Sequence, residues 1–417
     1  MTDQRPGVKD IVFLAAIIAV AAAIRIYCFH GFASLDDAEY ARFANRIVHG
    51  GFTPSGYTGP AVFPLRIGII FPAALSFRLL GVNQFSLAVF PLVMSLLSLV
   101  LAYLSATLLF GRREGLVAAA LWAVLPIEAS DATTLFPDLP AAFWGSLGVV
   151  LILAASDPEK RSRESVFAAG LLAGLSFGFS WLTKESVAYL APFCLVLLYL
   201  TLKGGQKKNV YLWAGVAAGS FAVLLSEAVV YHHLSGDWLF RFHEIDRNYR
   251  QWQNGFFTEG SHWGWPKGTS YHKALVKRLF MTGPEMIFLN PQFLYLPVFG
   301  IMASLYAAYW KDRRFLVPSL WFISLVLMYN FSSSSASRYA PLALFDRYLY
   351  PVLLPSVILT AGFVGRTLFR PAEGLEDAAR RERFFWGAVM ASVLVLIGGY
   401  QTFRNFRDIR TTRAWIK

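Results

Sequence analysis

Charge is what this sequence lacks. Only 15% of its residues are charged, against about 25% in soluble proteins. That excludes a solvated domain built around one core. Cysteine is nearly absent too. Cys28 and Cys194 both lie in apolar stretches, so no disulfide framework or cysteine metal site is expected. The histidines show no metal-ligand spacing, and His232-His233, His243 and His262 read as loop residues. No internal repeat is visible, which argues against a transporter of inverted repeats.

What is present points to a membrane. Hydrophobic residues make up 56% of the chain and aromatics 16%. Apolar stretches recur along the whole length, as one membrane-embedded unit over 1–417 requires. Met1–Asp10 is short and polar, and the run Ile11–Phe29 follows without a small-residue cleavage site. A retained first span fits better than a cleaved signal peptide.

A transmembrane helix needs roughly 20 apolar residues. The expected spans are 11–29, 84–110, 115–130, 138–155, 166–183, 186–202, 210–231, 286–310, 315–331, 347–368 and 384–403. The fold expected is therefore an all-α polytopic membrane protein of about 11 helices. The stretch Val62–Leu80 is apolar but carries Pro64, Arg66, Pro72 and Arg78. If it does not span, the basic loops at 112–113, 160–163, 203–208, 311–314 and 370–383 all share the side of the N-terminus. That is the positive-inside pattern, and it accounts for most of the net charge of +12 without invoking nucleic acid. Val62–Leu80 is accordingly expected as interfacial helices. Two long regions then face outward, 30–83 and 232–285, and a basic tail occupies 404–417.

The most informative segment is the acidic turn Asp36-Asp37-Ala38-Glu39-Tyr40 after the first span. Ser34 and Asp37 fit a capping box, which explains Asp37 by helix initiation. Arg42 and Arg46 can neutralise Glu39. Asp36 has neither explanation, and shares a helix face with Tyr40 one turn on. A second acidic turn holds Glu128, Asp131 and Asp138. Asp138 precedes Leu139-Pro140 and suits a helix start, whereas Glu128 has no basic neighbour in sequence.

Cations are expected on the same face. Lys184-Glu185 interrupts an apolar stretch, and ionisable residues at such depth are functional candidates. An internal pair, or snorkelling of Lys184, is the plainer explanation. Arg66, Arg338 and Arg347 join Lys184 as groups able to neutralise a lipid phosphate. Arg241, Arg247 and Arg250, with Trp252, Phe256, Phe257, Trp263, Trp265 and Tyr271, read mainly as an aromatic and basic belt at the lipid surface.

These elements, in this order, resemble the GT-C class of membrane glycosyltransferases. The likeness is nearest to the branch of protein O-mannosyltransferases and the aminoarabinose transferases that modify lipid A. Four pieces carry it: Asp36–Tyr40 after the first span; Phe63–Gly81 leading to Asn83-Gln84-Phe85-Ser86; Asp138-Leu139-Pro140; and Arg347-Tyr348 with Pro351 and Pro355. Leu182-Thr183-Lys184 and the segment from Asn290-Pro291 to Leu296 also fit. The family often places a basic residue before a Pro-Pro pair in the first outer loop, where this chain has Thr58-Gly59-Pro60. Donor phosphate then falls to Arg66 or Lys184.

The resemblance implies a polyprenyl-phosphate sugar donor, such as one on undecaprenyl phosphate. It implies an active site on the periplasmic face of the inner membrane, and Asp36 as catalytic base. Asp37 would assist catalysis. Lys184, Arg347, Arg66 and Arg338 would hold the donor phosphate, and Glu39, Tyr40, Glu128, Asp138 and Tyr348 would contact substrate. Direct displacement on the anomeric carbon predicts inversion. The acceptor is a glycan, lipid or protein hydroxyl. A divalent cation shared by the acids is compatible with this set, but no ligand set demands one. The rival reading is a transporter or flippase of a lipid-linked sugar.

Overall fold

A computed structural model describes residues 7–369 apart from 55–58, 156–161, 205–206, 257–269, 334–338, 340 and 343, with isolated positions from 385 to 404. The side chains of 249–256 and 368–369 are likewise outside the description. The first half holds α1 Val8–Tyr27, α2 Leu35–Val48, α3 Ile67–Leu80, α4 Gln84–Leu109, α5 Arg112–Ala123, α6 Pro126–Asp131, α7 Asp138–Ala155 and α8 Arg163–Thr183. The second holds α9 Ala191–Lys203, α10 Asn209–Ser235, α11 Phe240–Phe256, α12 Tyr271–Lys277, α13 Gly283–Phe288, α14 Leu296–Trp310, α15 Leu316–Phe331 and α16 Tyr350–Val364. Among the described residues, eight helices are long and apolar enough to cross a membrane.

The all-helical, polytopic expectation holds, and the expected spans differ from the observed helices where proline intervenes. The stretch 115–130 is two helices, because Pro126 forces Leu125 out of the helical region (φ −60°, ψ 123°). The stretch 286–310 is broken by Pro291, after which Leu294 and Tyr295 take positive φ of 52° and 55°. Only α14, 15 residues long, continues. The expected span 384–403 lies almost wholly outside the described residues.

Helix α3 has 14 residues, about 21 Å at 1.5 Å per residue, short of a ~30 Å hydrocarbon core. One face joins Tyr40, Phe43, Ile69, Ile70, Phe77 and Leu135 in a small second core. The other leaves Phe71, Leu75 and Leu79 exposed.

Helix α16 is the hub. Every residue from Val352 to Val364 is buried, within the large core formed by the other apolar helices. Helices α8 and α10 approach backbone to backbone. A Cβ on Gly174 would lie 2.8 Å from the Ser220 nitrogen, and one on Gly219 would lie 2.8 Å from the Leu175 nitrogen. Such small-residue contacts are how apolar helices gain packing where the surrounding lipid removes the hydrophobic drive.

The bundle has two chemically distinct ends. At one, Asp10 before the bulk of α1 meets Arg112 of α5 at 3.4 Å, and Asp312 meets Arg366 at 3.4 Å. The basic residues Arg113, Lys311, Arg313 and Arg314 neighbour these pairs in sequence. The candidate site lies at the other, where α1, α8 and the turns before α2, α7 and α16 come together.

Candidate active site

The acidic turn is built by its own hydrogen bonds. Ser34 Oγ accepts from the Asp36 amide at 3.2 Å. The Asp37 carboxylate accepts from the Ala33 amide (2.6 Å), the Ser34 amide (2.9 Å), Ser34 Oγ (3.1 Å) and the Ala38 amide (3.0 Å). Asp37 is fully buried, and its lone pairs are occupied by helix initiation. In this geometry Asp37 caps the helix and fixes where Asp36 points.

Asp36 points at Arg347. The Arg347 guanidinium donates to Asp36 at 2.5 Å, and its Nε lies 3.8 Å from Asp138. Asp138 in turn bonds the ammonium of Lys184. That ammonium sits 3.6 Å from the centroid of the Tyr348 ring, while Arg347 stacks 4.2 Å over Phe136. Groups 311 residues apart in sequence thus form one chain of alternating charge, Asp36–Arg347–Asp138–Lys184. Asp138 and Lys184 are nearly fully buried, and the Asp36 side chain is about one-third exposed.

Arg66 flanks this chain. It donates to the Tyr40 hydroxyl and to Glu185 at 3.3 Å, so Lys184 and Glu185 pair outward rather than with each other. Arg66 Nε is buried and meets no acceptor among the described residues, an incomplete arrangement for a buried donor. The approach is fixed by Gly68, where a Cβ would meet the Thr183 nitrogen at 2.7 Å. Only glycine lets the start of α3 pack against the turn carrying Lys184.

Beside Arg347 opens a cavity of about 340 Å³, lined among others by Asp131, Phe136, Gln292, Phe345 and Asp346. Asn290 donates to Asp346 at 2.9 Å and Ser130 to Asp131 at 3.0 Å. Burial raises the Asp131 carboxyl to about 7, against the lowering effects of Ser130 and Arg347. Burial likewise lowers the Lys184 amine to about 8, with Asp138 only partly restoring it. Burial holds the Tyr40 phenol well above its usual range.

Two expected substrate contacts fall elsewhere. Glu128 is fully buried against Arg25 at 3.3 Å and bonds Ser95. Arg25 is also satisfied by the carbonyls of Ala21 and Ala123, each at 3.1 Å, and by Ser95 Oγ at 2.6 Å. This pair braces α1 against α4 and the break before α6. Its partner was not legible because 103 residues separate them. Glu39 pairs with Arg42 at 2.6 Å, outside the charged chain. Arg338 lies outside the described residues, as do Trp263, Trp265 and His262. Among the described residues, no three His, Cys, Asp or Glu side chains converge to hold a metal. Sequence reasoning passed over Phe136, Asp131 as a cavity residue, and the buried pair Arg241–Glu227. Glu227 inside an apolar stretch was the available signal.

The helices and the charged cluster at one set of their ends make a polytopic membrane fold with its candidate chemistry gathered on one face. A family model described as dolichyl-phosphate-mannose-protein mannosyltransferase matches residues 67–231, which include Asp138 and Lys184. An undecaprenyl phosphate-alpha-4-amino-4-deoxy-L-arabinose arabinosyl transferase of Pseudomonas aeruginosa is 25% identical over 342 residues, 79% of this chain and 55% of the relative. A protein of the same description from Pseudomonas fluorescens is 26% identical over 350 residues, 81% of this chain and 56% of that one. This chain therefore spans about half the length of the curated relatives it matches.

Among solved structures, the Archaeoglobus fulgidus oligosaccharyltransferase superposes with a TM-score of 0.62 at 15% identity, over 95% of this chain and 56% of that one. ArnT from Cupriavidus metallidurans in the apo state gives 0.55 at 18% identity, over 92% and 63%. ArnT bound to undecaprenyl phosphate gives 0.53 at 16%, over 95% and 75%. The resemblance drawn from the motifs is borne out in the fold.

Proposed function

We propose that this protein transfers a sugar from a polyprenyl-phosphate donor to an acceptor hydroxyl, with inversion, at the periplasmic face of the inner membrane. The observation that carries the proposal is the Asp36–Arg347–Asp138–Lys184 chain at one end of the bundle. The names of the Pseudomonas relatives, and the undecaprenyl phosphate bound by ArnT, favour a donor of that class. The basic residues at the opposite bundle end favour a periplasmic site by the positive-inside rule.

The chemistry follows from the charges. The donor phosphodiester is drawn to Arg347, Lys184 and Arg66. A phosphate leaving group needs charge stabilisation more than a proton, and these cations supply it without a general acid. Phosphate competes with Asp36 for Arg347, so donor binding frees the Asp36 carboxylate to take the acceptor proton. Base assistance of this kind contributes roughly 100- to 10,000-fold in rate. Asp138 keeps Lys184 charged and in place, and Tyr348 packs on its ammonium. The cavity beside Arg347, with its carboxylates, amide and aromatic walls, suits a hydroxylated acceptor. No step requires a divalent cation; one shared by Asp36 and Asp138 would have to displace Arg347.

The test is Asp36→Asn in purified protein, assayed for sugar transfer from an undecaprenyl-phosphate sugar. Transfer should fall by at least about 100-fold while donor binding persists. Wild-type transfer by Asp36→Asn would falsify the base assignment. A flippase would instead keep moving lipid-linked sugar across vesicle membranes in the same variant.

A further inference from the structure

Arg241 begins in sequence as one of several arginines after α10 that suit the lipid surface. The structure buries it, leaving its side chain 3% exposed. Nη1 donates to Glu227 at 2.5 Å and to the Leu65 carbonyl at 3.0 Å. Nη2 donates to the Trp181 carbonyl at 2.6 Å. The guanidinium lies 4.6 Å from the centroid of the Trp181 ring. Glu227 completes the loop by accepting from Trp181 Nε1 at 2.9 Å. The buried Tyr231 hydroxyl donates to the same Leu65 carbonyl at 3.2 Å.

The two carbonyls are informative. Leu65 is the residue before Arg66, and Trp181 is three residues before Lys184. One guanidinium from α11 therefore holds the two backbone segments that carry the candidate phosphate cations. Those cations repel each other, and Arg66 is one of the charges that disfavours protonation of Lys184. A buried ion pair is not needed for stability, since apolar side chains of similar volume usually serve as well. A planar fork that reaches two carbonyls and a carboxylate together serves geometry, and lysine cannot reproduce it.

We propose that Arg241, locked by Glu227, is a positioning residue that sets the spacing of Arg66 and Lys184 for one phosphate. It touches neither donor nor acceptor. The proposal rests on the donor reading above for its ligand, but the spacing itself is measurable without a ligand.

The experiment compares Arg241→Lys alone and in an Arg66→Gln background. Binding of undecaprenyl phosphate in detergent is measured beside the unfolding midpoint. In the wild-type background Arg241→Lys should weaken binding about tenfold, as for a lost charge-assisted contact. In the Arg66→Gln background the same change should cost under about twofold, because coupled residues are not additive. Full additivity, or wild-type affinity in Arg241→Lys, overturns the proposal. If Arg241→Lys does not fold, Tyr231→Phe removes one bond to the Leu65 carbonyl and should show the same non-additivity at smaller size. The second readout is the titration of Lys184, followed by NMR of ¹³C-labelled lysine and assigned by its loss in Lys184→Arg. Loosened segments should titrate higher in Arg241→Lys, and an unchanged midpoint overturns the proposal. Should wild-type protein fail to bind undecaprenyl phosphate, the donor reading falls, while the Lys184 titration still decides the positioning.

Discussion

Raising the pH from 7 to 9 should weaken donor binding about tenfold through loss of the Lys184 charge. Burial lowers its amine to about 8. A group titrating there is roughly nine-tenths protonated at pH 7 and about one-tenth protonated at pH 9. Only the ammonium attracts phosphate, so apparent affinity follows that fraction. The direction is that of a depressed lysine: the charge is present below about 8 and lost above it. The donor is a phosphodiester with no proton to lose in this range, so the change belongs to the protein. Two variants bracket the effect. Lys184→Arg keeps its charge, and the tenfold loss between pH 7 and 9 should shrink to the smaller effect of Asp131 ionising beside Arg347. Lys184→Met removes a charge-assisted bond worth about 1.5–3 kcal/mol, and should bind roughly 10- to 150-fold more weakly at pH 7, with only that smaller effect added at pH 9. The assay is equilibrium binding of an undecaprenyl-phosphate sugar at constant ionic strength. Flat wild-type binding between pH 7 and 9, or unimpaired binding by Lys184→Met, would refute the assignment of Lys184 to the donor phosphate.

Three further outcomes follow from the packing and the site. Glu128→Gln leaves Arg25 buried without its countercharge, which typically costs about 3–5 kcal/mol; thermal unfolding in detergent should show the loss, while the folded fraction still binds donor. If that fraction binds no donor and unfolds normally, Glu128 is a substrate residue after all. Gly174→Val drives a side chain into the Val216–Ser220 backbone of α10 and should lower folded yield sharply, whereas Gly50→Ala, with open space around it, should cost only the strain of its positive φ. Arg347→Gln should reduce transfer and donor affinity together, since Arg347 is read as a phosphate ligand; a loss confined to the unfolding midpoint would assign it to structure alone.

The local parts of the site were readable from the sequence because they are made by neighbours. The Ser34–Asp37 capping box and the Glu39–Arg42 pair both close within one helical turn. The break at Pro126 is equally local, though the apolar run around it read as one span. Charge pairs across the bundle were not readable. Glu128 looked unpartnered because Arg25 is 103 residues away, and Arg241 looked like a surface residue because Leu65 is 176 residues away. Lys184 and Glu185 looked like a pair because they are adjacent, yet adjacent side chains at a helix end diverge and found Asp138 and Arg66 instead.

The sequence by itself determined the membrane class, the interruption of the apolar stretch Val62–Leu80 and the identity of Asp36 as the acid without a local explanation. Scarcity of charge and the placement of proline and basic loops suffice for those, because each acts through composition or near neighbours. Only the tertiary structure decided which carboxylates meet which cations across the bundle. A buried charge must find a countercharge or donors in a low-dielectric interior, and in a helical bundle those partners come from distant helices whose ends packing brings together.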